Sequence, residues 1–264
     1  MAEHLHEKEN LRPDLGMREV KFRHSSNFVS LLRDTQCSLL ISTYAAGKLA
    51  VVGTNASGLS LSFLNFDQCM GVALHPTKIA VGTRHQIWFL NNNSELAAQL
   101  QPAGEYDGCF LPRSSFVTAR IHSHELAWSG NELWVVNTLF SCLCTLNEDF
   151  NFVPRWKPPF VRVLEANDRC HMNGLAMHDG RPKYVTAMAE TDAPGGWRPT
   201  KSESGCVIDV ESGEAISRGL AMPHSPRMYG GKLWVLNSGR GELGTVDPGT
   251  GKYLPVEAMP GYTR

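Results

Sequence analysis

The 264-residue chain lacks an excess of charge of either sign, and it lacks long apolar runs. Lys and Arg number 25 against 26 Asp and Glu, which gives a formal net charge of −1. Without a basic stripe to follow a phosphate backbone, nucleic acid is not expected as a partner. No run of apolar residues approaches the ~20 needed to span a membrane. The opening residues, MAEHLHEKENLRPDLG, contain no apolar core of a secretory signal, so the sequence predicts a cytoplasmic protein without a membrane partner.

The cysteines lack the spacing of a disulfide framework. There are seven, an odd number, and with no export signal we expect reduced thiols. Cys142 and Cys144 form a C-x-C pair within a predicted strand, and Cys170 directly precedes His171. Buried, inert thiols are the simplest interpretation of all three.

Helical periodicity is almost absent. Residues 1–24 are polar and aperiodic and are interpreted as a flexible N-terminal arm, and SSNFVSLLRDT then predicts one short amphipathic helix. From Cys37 onward the chain consists of short β-rich runs separated by turn signals such as SGNE, YGGK and DPGTG. Such a sequence is typical of a sandwich, a barrel or a propeller.

A repeat of about fifty residues favours the propeller. The copies QCMGVAL, HSHELAW, HMNGLAM and HSPRMY place Gln68, His122, His171 and His224 in one column, at spacings of 54, 49 and 53 residues. The clearest copies carry ELWVVNT and KLWVLNS, and each divides into four strands, as propeller blades do. Residues 25–264 are therefore predicted to form a single all-β propeller domain, with blades near 37–66, 71–102, 125–158, 174–218 and 226–256.

The sequence does not supply all the strands that a closed ring of blades requires. The first unit supplies three strands with no inner strand before them, and a further unit would begin at the final PGYTR. We therefore expect a six-bladed propeller in the complete form, with about five blades present here and the final blade missing. The alternative is an irregular five-bladed ring. Open blade edges would make self-association possible.

Several tracts carry a family resemblance: MGVALHPTKIAVGT, HSHELAWSGNELWVVNTLFSCL, HMNGLAMHDGRPKYVTA, ETDAPGGWRP and HSPRMYGGKLWVLNSGRGEL. Together they resemble an uncharacterised bacterial family of conserved hypothetical proteins, a domain of unknown function whose members continue with about one further blade. More distantly, the layout is similar to lactonase-type propellers, which hold a divalent cation with Glu, Asp and Asn. That acidic ligand set is not reproduced in this chain, so it is not carried over.

Two sets of loops are expected to converge at one mouth of the central channel. The loops that enter the inner strands supply the histidine column with His124, Asn173 and Arg227 close behind. The loops between second and third strands supply Asn137, Glu190, Asn237 and Arg240. One of these loops, ETDAPGGWRPTKSESG, is inflated and carries Trp197, which predicts a lid or clamp. The alternative is a surface insertion with Trp197 packed on a neighbouring blade.

Two functions remain open at this stage. The first is binding of a small polar ligand, a peptide or a protein partner across the top face. The second is a metal-dependent hydrolase or lyase of the lactonase-like type, in which His122, His171 and His224 hold a divalent metal ion or act as general bases. Alternatively, these three histidines only hydrogen-bond neighbouring backbone or substrate.

Overall fold

The computed structural model describes residues 20–263, so most of the arm predicted for residues 1–24 lies outside the described residues. The helix predicted after it is α1 (Phe28–Asp34), and nineteen strands follow. Their bounds fall into five groups. The first sheet contains β1 (Leu39–Thr43), β2 (Lys48–Asn55) and β3 (Gly58–Asn65); the second, β4 (Val72–His75), β5 (Lys78–Gly82), β6 (Gln86–Asn92) and β7 (Phe110–Val117); the third, β8 (Ser123–Ser129), β9 (Glu132–Asn137), β10 (Cys142–Asn147) and β11 (Phe150–Trp156). The fourth contains β12 (Met172–His178), β13 (Arg181–Ala187), β14 (Gly205–Asp209) and β15 (Ala215–Leu220); the fifth, β16 (Pro223–Tyr229), β17 (Lys232–Asn237), β18 (Glu242–Val246) and β19 (Tyr253–Ala258).

The five sheets form a five-bladed β-propeller. Each strand pairs antiparallel with the next along the chain, and the first sheet has three strands where the others have four. The inner strands neighbour one another in order, since β4 contacts β8, β8 contacts β12 and β12 contacts β16. The predicted all-β propeller with five blades present is confirmed. The six-bladed complete form stays a prediction.

Apolar side chains fill the interfaces between consecutive sheets. Four clusters of buried residues join sheets one and two, two and three, three and four, and four and five. None of these four joins the fifth sheet to the first within residues 20–263. The cohesion of the described propeller therefore passes from each blade to the next.

Two local features modify the simple repeat. In the second sheet a short helix, α2 (Ser94–Ala97), precedes β7, which places the fourth strand beyond the predicted boundary near 102. Asn93 begins this helix, and its Oδ1 accepts a hydrogen bond from the Leu96 N–H at 2.9 Å. Against the first sheet, residues 20–28 close an apolar cavity of about 430 Å³ over β1, β2 and β3.

Within residues 20–263, no helix combines the length and apolar character that crossing a membrane requires.

Gly174 tests how tightly the inner strands pack. A Cβ at this position would lie 2.3 Å from Cδ of Pro226 and 2.5 Å from Oγ1 of Thr186. We expect Gly174→Ala to lower the free energy of unfolding by about 1–3 kcal/mol, because an overpacked methyl group must push β12 and β16 apart. Urea unfolding measures the loss. Gly249→Ala is the control: its Cβ would meet only Asp247 Oδ1, at 3.3 Å in an exposed turn, and equal losses in the two variants would contradict the packing argument.

Candidate functional site: the channel cavity and its rim

The hairpins of the inner strands define which residues are equivalent between blades. In the second to fifth sheets the first two strands are joined by a two-residue turn, and His75, Ser129, His178 and Tyr229 each end an inner strand. Counting seven residues back from these positions gives Gln68, His122, His171 and Met222. All four have left-handed backbones, with φ between 49° and 52°. The column predicted at the entry to the inner strands is thus a backbone feature shared by four blades.

This register changes the place of His224. Counting five residues back from the same strand ends gives Met70, His124, Asn173 and His224. His224 therefore belongs with His124 and Asn173 on the inner strands, two residues past the column that holds His122 and His171. The similar motifs HSH, which begins at His122, and HSP, which begins at His224, had suggested that these two histidines are equivalent.

The inner strands enclose a cavity of about 470 Å³, which we call the channel cavity. One side of it is largely apolar and comes from the first two sheets. The other side is polar and comes from the last three. The principal lining residues are Leu40, Ile41, Met70 and Val72 on the apolar side and His124, Glu125, Asn173, His224 and Arg227 on the polar side. The cavity gathers three of the predicted ligand-binding residues, His124, Asn173 and Arg227. It also contains His224, which was predicted as a catalytic or metal-binding residue, and it adds Glu125.

An ion pair crosses the channel cavity from the third sheet to the fifth. Arg227 Nη2 lies 2.9 Å from Glu125 Oε1, and Arg227 Nη1 donates to the Leu175 carbonyl at 3.2 Å. Burial raises the pKa of Glu125, and the charge of Arg227 opposes this rise. The guanidinium thus links blades three, four and five at the axis.

Three more polar side chains surround this pair. Asn173 Oδ1 accepts a hydrogen bond from Thr186 Oγ1 at 2.7 Å, whereas its buried Nδ2 donates to no described group. His224 Nδ1 lies 2.9 Å from the Met222 carbonyl and 3.0 Å from Ser238 Oγ. The His124 ring is 6.5 Å from that of His224, measured between centroids. Donors and acceptors from three sheets therefore face one space.

At the mouth, Asp168 and His171 form a carboxylate–imidazole pair that we call the rim dyad. His171 Nδ1 lies 3.0 Å from Asp168 Oδ1 and 2.9 Å from Oδ2. The Trp197 ring covers the imidazole at 4.2 Å between centroids, and the Arg198 guanidinium lies 4.7 Å from the Trp197 ring. The inflated loop after β13 thus packs on the rim of its own blade, whereas the alternative to a lid or clamp had placed Trp197 on a neighbouring blade. The lid or clamp stays a prediction.

The predicted set of three metal-binding histidines is not gathered at one point. Among residues 20–263 no group of three or more His, Cys, Asp or Glu side chains is placed to hold a metal ion. His122 also has a specific obstacle, because the Arg120 guanidinium donates to its Nε2 at 2.9 Å. This contact occupies the lone pair that a metal would need and places a positive charge beside it.

The remaining predicted site residues lie outside the channel cavity. Asn137 and Asn237 are fully buried, and their Oδ1 atoms accept from the backbone N–H groups of Phe140 and Ala221. Glu190 pairs with Arg218, and Arg240 is exposed at the end of a 3₁₀ turn. Gln68 keeps its place in the column without lining the cavity. These positions support turn-stabilising or surface roles.

The thiols near the site are buried. Burial raises the pKa of Cys170 to about 12, and Cys142 and Cys144 are wholly inaccessible. A thiol that stays protonated and inaccessible is a poor nucleophile. Inert thiols, as expected from the sequence, fit this arrangement.

Sequence reasoning missed two partners. Asp168 lies at the end of the long loop between β11 and β12, and its spacing of three residues from His171 was the only available signal. The pairing of Glu125 with Arg227 joins positions 102 residues apart, so local patterns cannot reveal it.

The fold and its polar channel place the chain among β-propellers with a ligand-sized axial cavity. The chain belongs to the family described as a domain of unknown function, DUF4915, which matches residues 26–264. The comparison with curated proteins gives no match.

Solved structures share the propeller fold at low identity. The PQQ-bound aldose sugar dehydrogenase from Streptomyces coelicolor is 11% identical at a TM-score of 0.51, over 83% of this chain and 78% of that one. Virginiamycin B lyase from Staphylococcus aureus is 14% identical at a TM-score of 0.49, over 84% and 68%. A streptogramin B lyase is 12% identical at 0.49, over 84% of this chain and 66% of that one, so the chain spans about two thirds of its length. These likenesses concern the fold alone.

Removing Arg227 tests the ion pair. In Arg227→Met the buried carboxyl of Glu125 loses its partner, and we expect a loss of about 1–3 kcal/mol in the free energy of unfolding at pH 7. The pKa of Glu125 then rises further, and a raised carboxyl pKa means stability that is present at low pH and lost as pH rises. The urea-measured loss should therefore be smaller at pH 5 than at pH 8.

Arg155→Met is the matched control for this change. Arg155 Nη1 pairs with Glu132 at the same distance, 2.9 Å, but the Glu132 side chain is 44% exposed whereas that of Glu125 is 11% exposed. Its loss should stay below about 1 kcal/mol without a comparable pH trend. A loss in Arg227→Met no larger than that of Arg155→Met would contradict a structural role for the channel ion pair.

His122 gives a separate pH prediction. Burial, and after it the charge of Arg120, lowers the pKa of His122. The unfolded chain therefore takes up this proton first, so stability is complete above the unfolded pKa of ~6.5 and is lost as pH falls. We expect the free energy of unfolding to decline less steeply below pH 7 in His122→Gln than in the wild type. His178→Gln, at a half-exposed histidine, should keep the wild-type slope; identical slopes in all three proteins would contradict the shift.

Proposed function

We propose that this protein binds a neutral, polar small molecule in the channel cavity. The observation that carries the proposal is the convergence of His124, Asn173, His224 and Arg227, from three different blades, on one cavity of about 470 Å³. Cavities of roughly 300–1,000 Å³ with a few convergent polar groups are typical of small-molecule sites.

The charge balance supports a neutral ligand. Glu125 and Arg227 are the charged side chains that line the cavity, and they pair with each other. An ionic ligand would therefore have to disrupt this pair or enter without a counter-charge, and both cost free energy. A neutral molecule can use the remaining hydrogen-bonding capacity and leave the pair intact.

The lining also favours an amphipathic ligand. Leu40, Ile41 and Val72 supply an apolar wall opposite the polar one. The buried Nδ2 of Asn173 is a donor that lacks a partner among the described residues, and a ligand acceptor would remove the desolvation cost of about 1–3 kcal/mol. Hydroxyl or amide groups on one side of a small apolar skeleton match these two walls.

Direct binding of neutral probes tests the proposal. Saturation-transfer difference NMR with N-acetylglucosamine and with a blocked glycine dipeptide should show that at least one of them binds. Asn173→Leu, which keeps the side-chain volume and removes the amide, should weaken that binding at least about 10-fold, the cost of one buried hydrogen bond.

Two controls keep this test decisive. Ser129→Ala changes a hydrogen-bonded side chain at the far end of the neighbouring inner hairpin, β8–β9, and should bind as the wild type does. His224→Gln gives a second change in the cavity should Asn173→Leu unfold. Failure of both probes to bind, or binding that survives both cavity variants, would overturn the proposal.

A further inference from the structure

We infer that the rim dyad is a general base that activates water against an acyl bond of a molecule held at the channel mouth. The inference deepens the proposed function and rests on it, because the substrate would be a ligand of the channel cavity. It concerns Asp168 and His171.

The hydrogen bonding fixes which nitrogen of His171 is available. Both carboxylate oxygens of Asp168 lie within 3.0 Å of Nδ1. An acceptor-only carboxylate at that distance selects the tautomer with hydrogen on Nδ1 and leaves the Nε2 lone pair free. Nε2 has no hydrogen-bond partner among residues 20–263 and is not fully buried, on a side chain that is 16% exposed. The imidazole is thus oriented with its basic nitrogen unpartnered among the described residues.

The backbone places both members of the dyad through the geometry of the repeat. Asp168 has φ of 47° and His171 has φ of 50°, both left-handed. The same pair of left-handed positions recurs one blade earlier at Ala119 and His122. The Asp168 N–H donates to the Leu139 carbonyl of the third blade at 2.8 Å. The fourth blade differs in the side chains at these two positions, because a carboxylate and an imidazole meet there.

The loop after β13 completes the setting. The Trp197 ring lies against the imidazole at an interplanar angle of 34° and restricts its rotation. Arg198 Nη2 lies 3.8 Å from Asp168 Oδ2, which places a positive charge beside the carboxylate. Such packing is how a supporting shell keeps a reactive group in productive geometry.

The rim dyad contacts the channel cavity through the ring of His124. The His171 and His124 rings meet edge to face at 5.0 Å between centroids, and His124 lines the cavity. A ligand seated against His124 therefore has its outer end beside His171. This contact places the base next to a bound molecule.

The chemical step is a hydrolysis. His171 Nε2 takes a proton from water, and the water oxygen forms a bond to the acyl carbon while the bond to the leaving oxygen breaks. The leaving group departs with the electron pair, and the imidazolium, stabilised by Asp168, returns its proton to that group or to solvent. Water is the only co-reactant.

The test uses p-nitrophenyl acetate, whose hydrolysis by the full chain releases p-nitrophenolate. His171→Gln should lower the second-order rate constant at least about 10-fold, a conservative share of what a general base contributes. Asp168→Asn, which disturbs the positioning residue, should also lower the rate and change its pH profile, because the selected tautomer is lost. The wild-type rate should rise with pH as one group deprotonates, and this rise should disappear in His171→Gln.

The matched control is a second histidine–carboxylate pair on the surface. His178 Nε2 lies 3.7 Å from Asp179 Oδ2, with both side chains exposed, so His178→Gln should hydrolyse the ester at the wild-type rate. Wild-type activity in His171→Gln, or an equal loss in His178→Gln, would overturn the inference.

Binding and hydrolysis separate the two proposals. If His171→Gln still binds the neutral probe but loses ester hydrolysis, both stand. If the wild type binds no neutral probe yet shows hydrolysis dependent on His171, the cavity proposal fails alone. If binding is present and hydrolysis does not depend on His171, the general base fails alone.

Discussion

The close approach of the inner strands around the channel is the constraint on which the rest of the structure depends. Four residues before the end of each inner strand lie Gly71, Glu125, Gly174 and Ser225. Small residues let neighbouring backbones come within bonding distance, as the Gly71 N–H does with the Ser123 carbonyl at 3.1 Å. Because three of the four positions are small, the axis has room for one large side chain. Glu125 occupies it, and Arg227 reaches across to meet it.

This arrangement divides the channel into two environments. Deep in the cavity the charges of Glu125 and Arg227 neutralise each other, so the lining offers hydrogen-bonding groups and apolar contacts rather than a net charge. At the rim, Asp168 meets a histidine, and the pair leaves the second ring nitrogen without a partner among the described residues. In the two proposals, recognition and proton transfer therefore have separate residues, and the His124 ring lies between them.

The sequence predicts the fold better than the site. The fifty-residue repeat and its turn signals are sufficient for the propeller, because blades repeat the same local pattern. The alignment of His224 with His122 failed because it matched letters, whereas equivalence is set by distance from the hairpin turn; counting back from Gly230 would have placed it with His124. The partners Asp168, Glu125 and Arg227 depend on contacts between blades and long loops, which no local period encodes.

The rim dyad shows why blade packing and chemistry cannot be separated in this molecule. Asp168 is anchored to the third blade through the Leu139 carbonyl, whereas His171 directly precedes the inner strand of the fourth and Trp197 belongs to that blade's long loop. Their relative position is therefore set by the interface between the two blades, where Leu143, Met172 and Leu175 are fully buried. An interior packed this closely transmits small shifts rather than absorbing them. The distance between the Asp168 carboxylate and the His171 imidazole therefore depends on how the apolar core beneath the rim is packed.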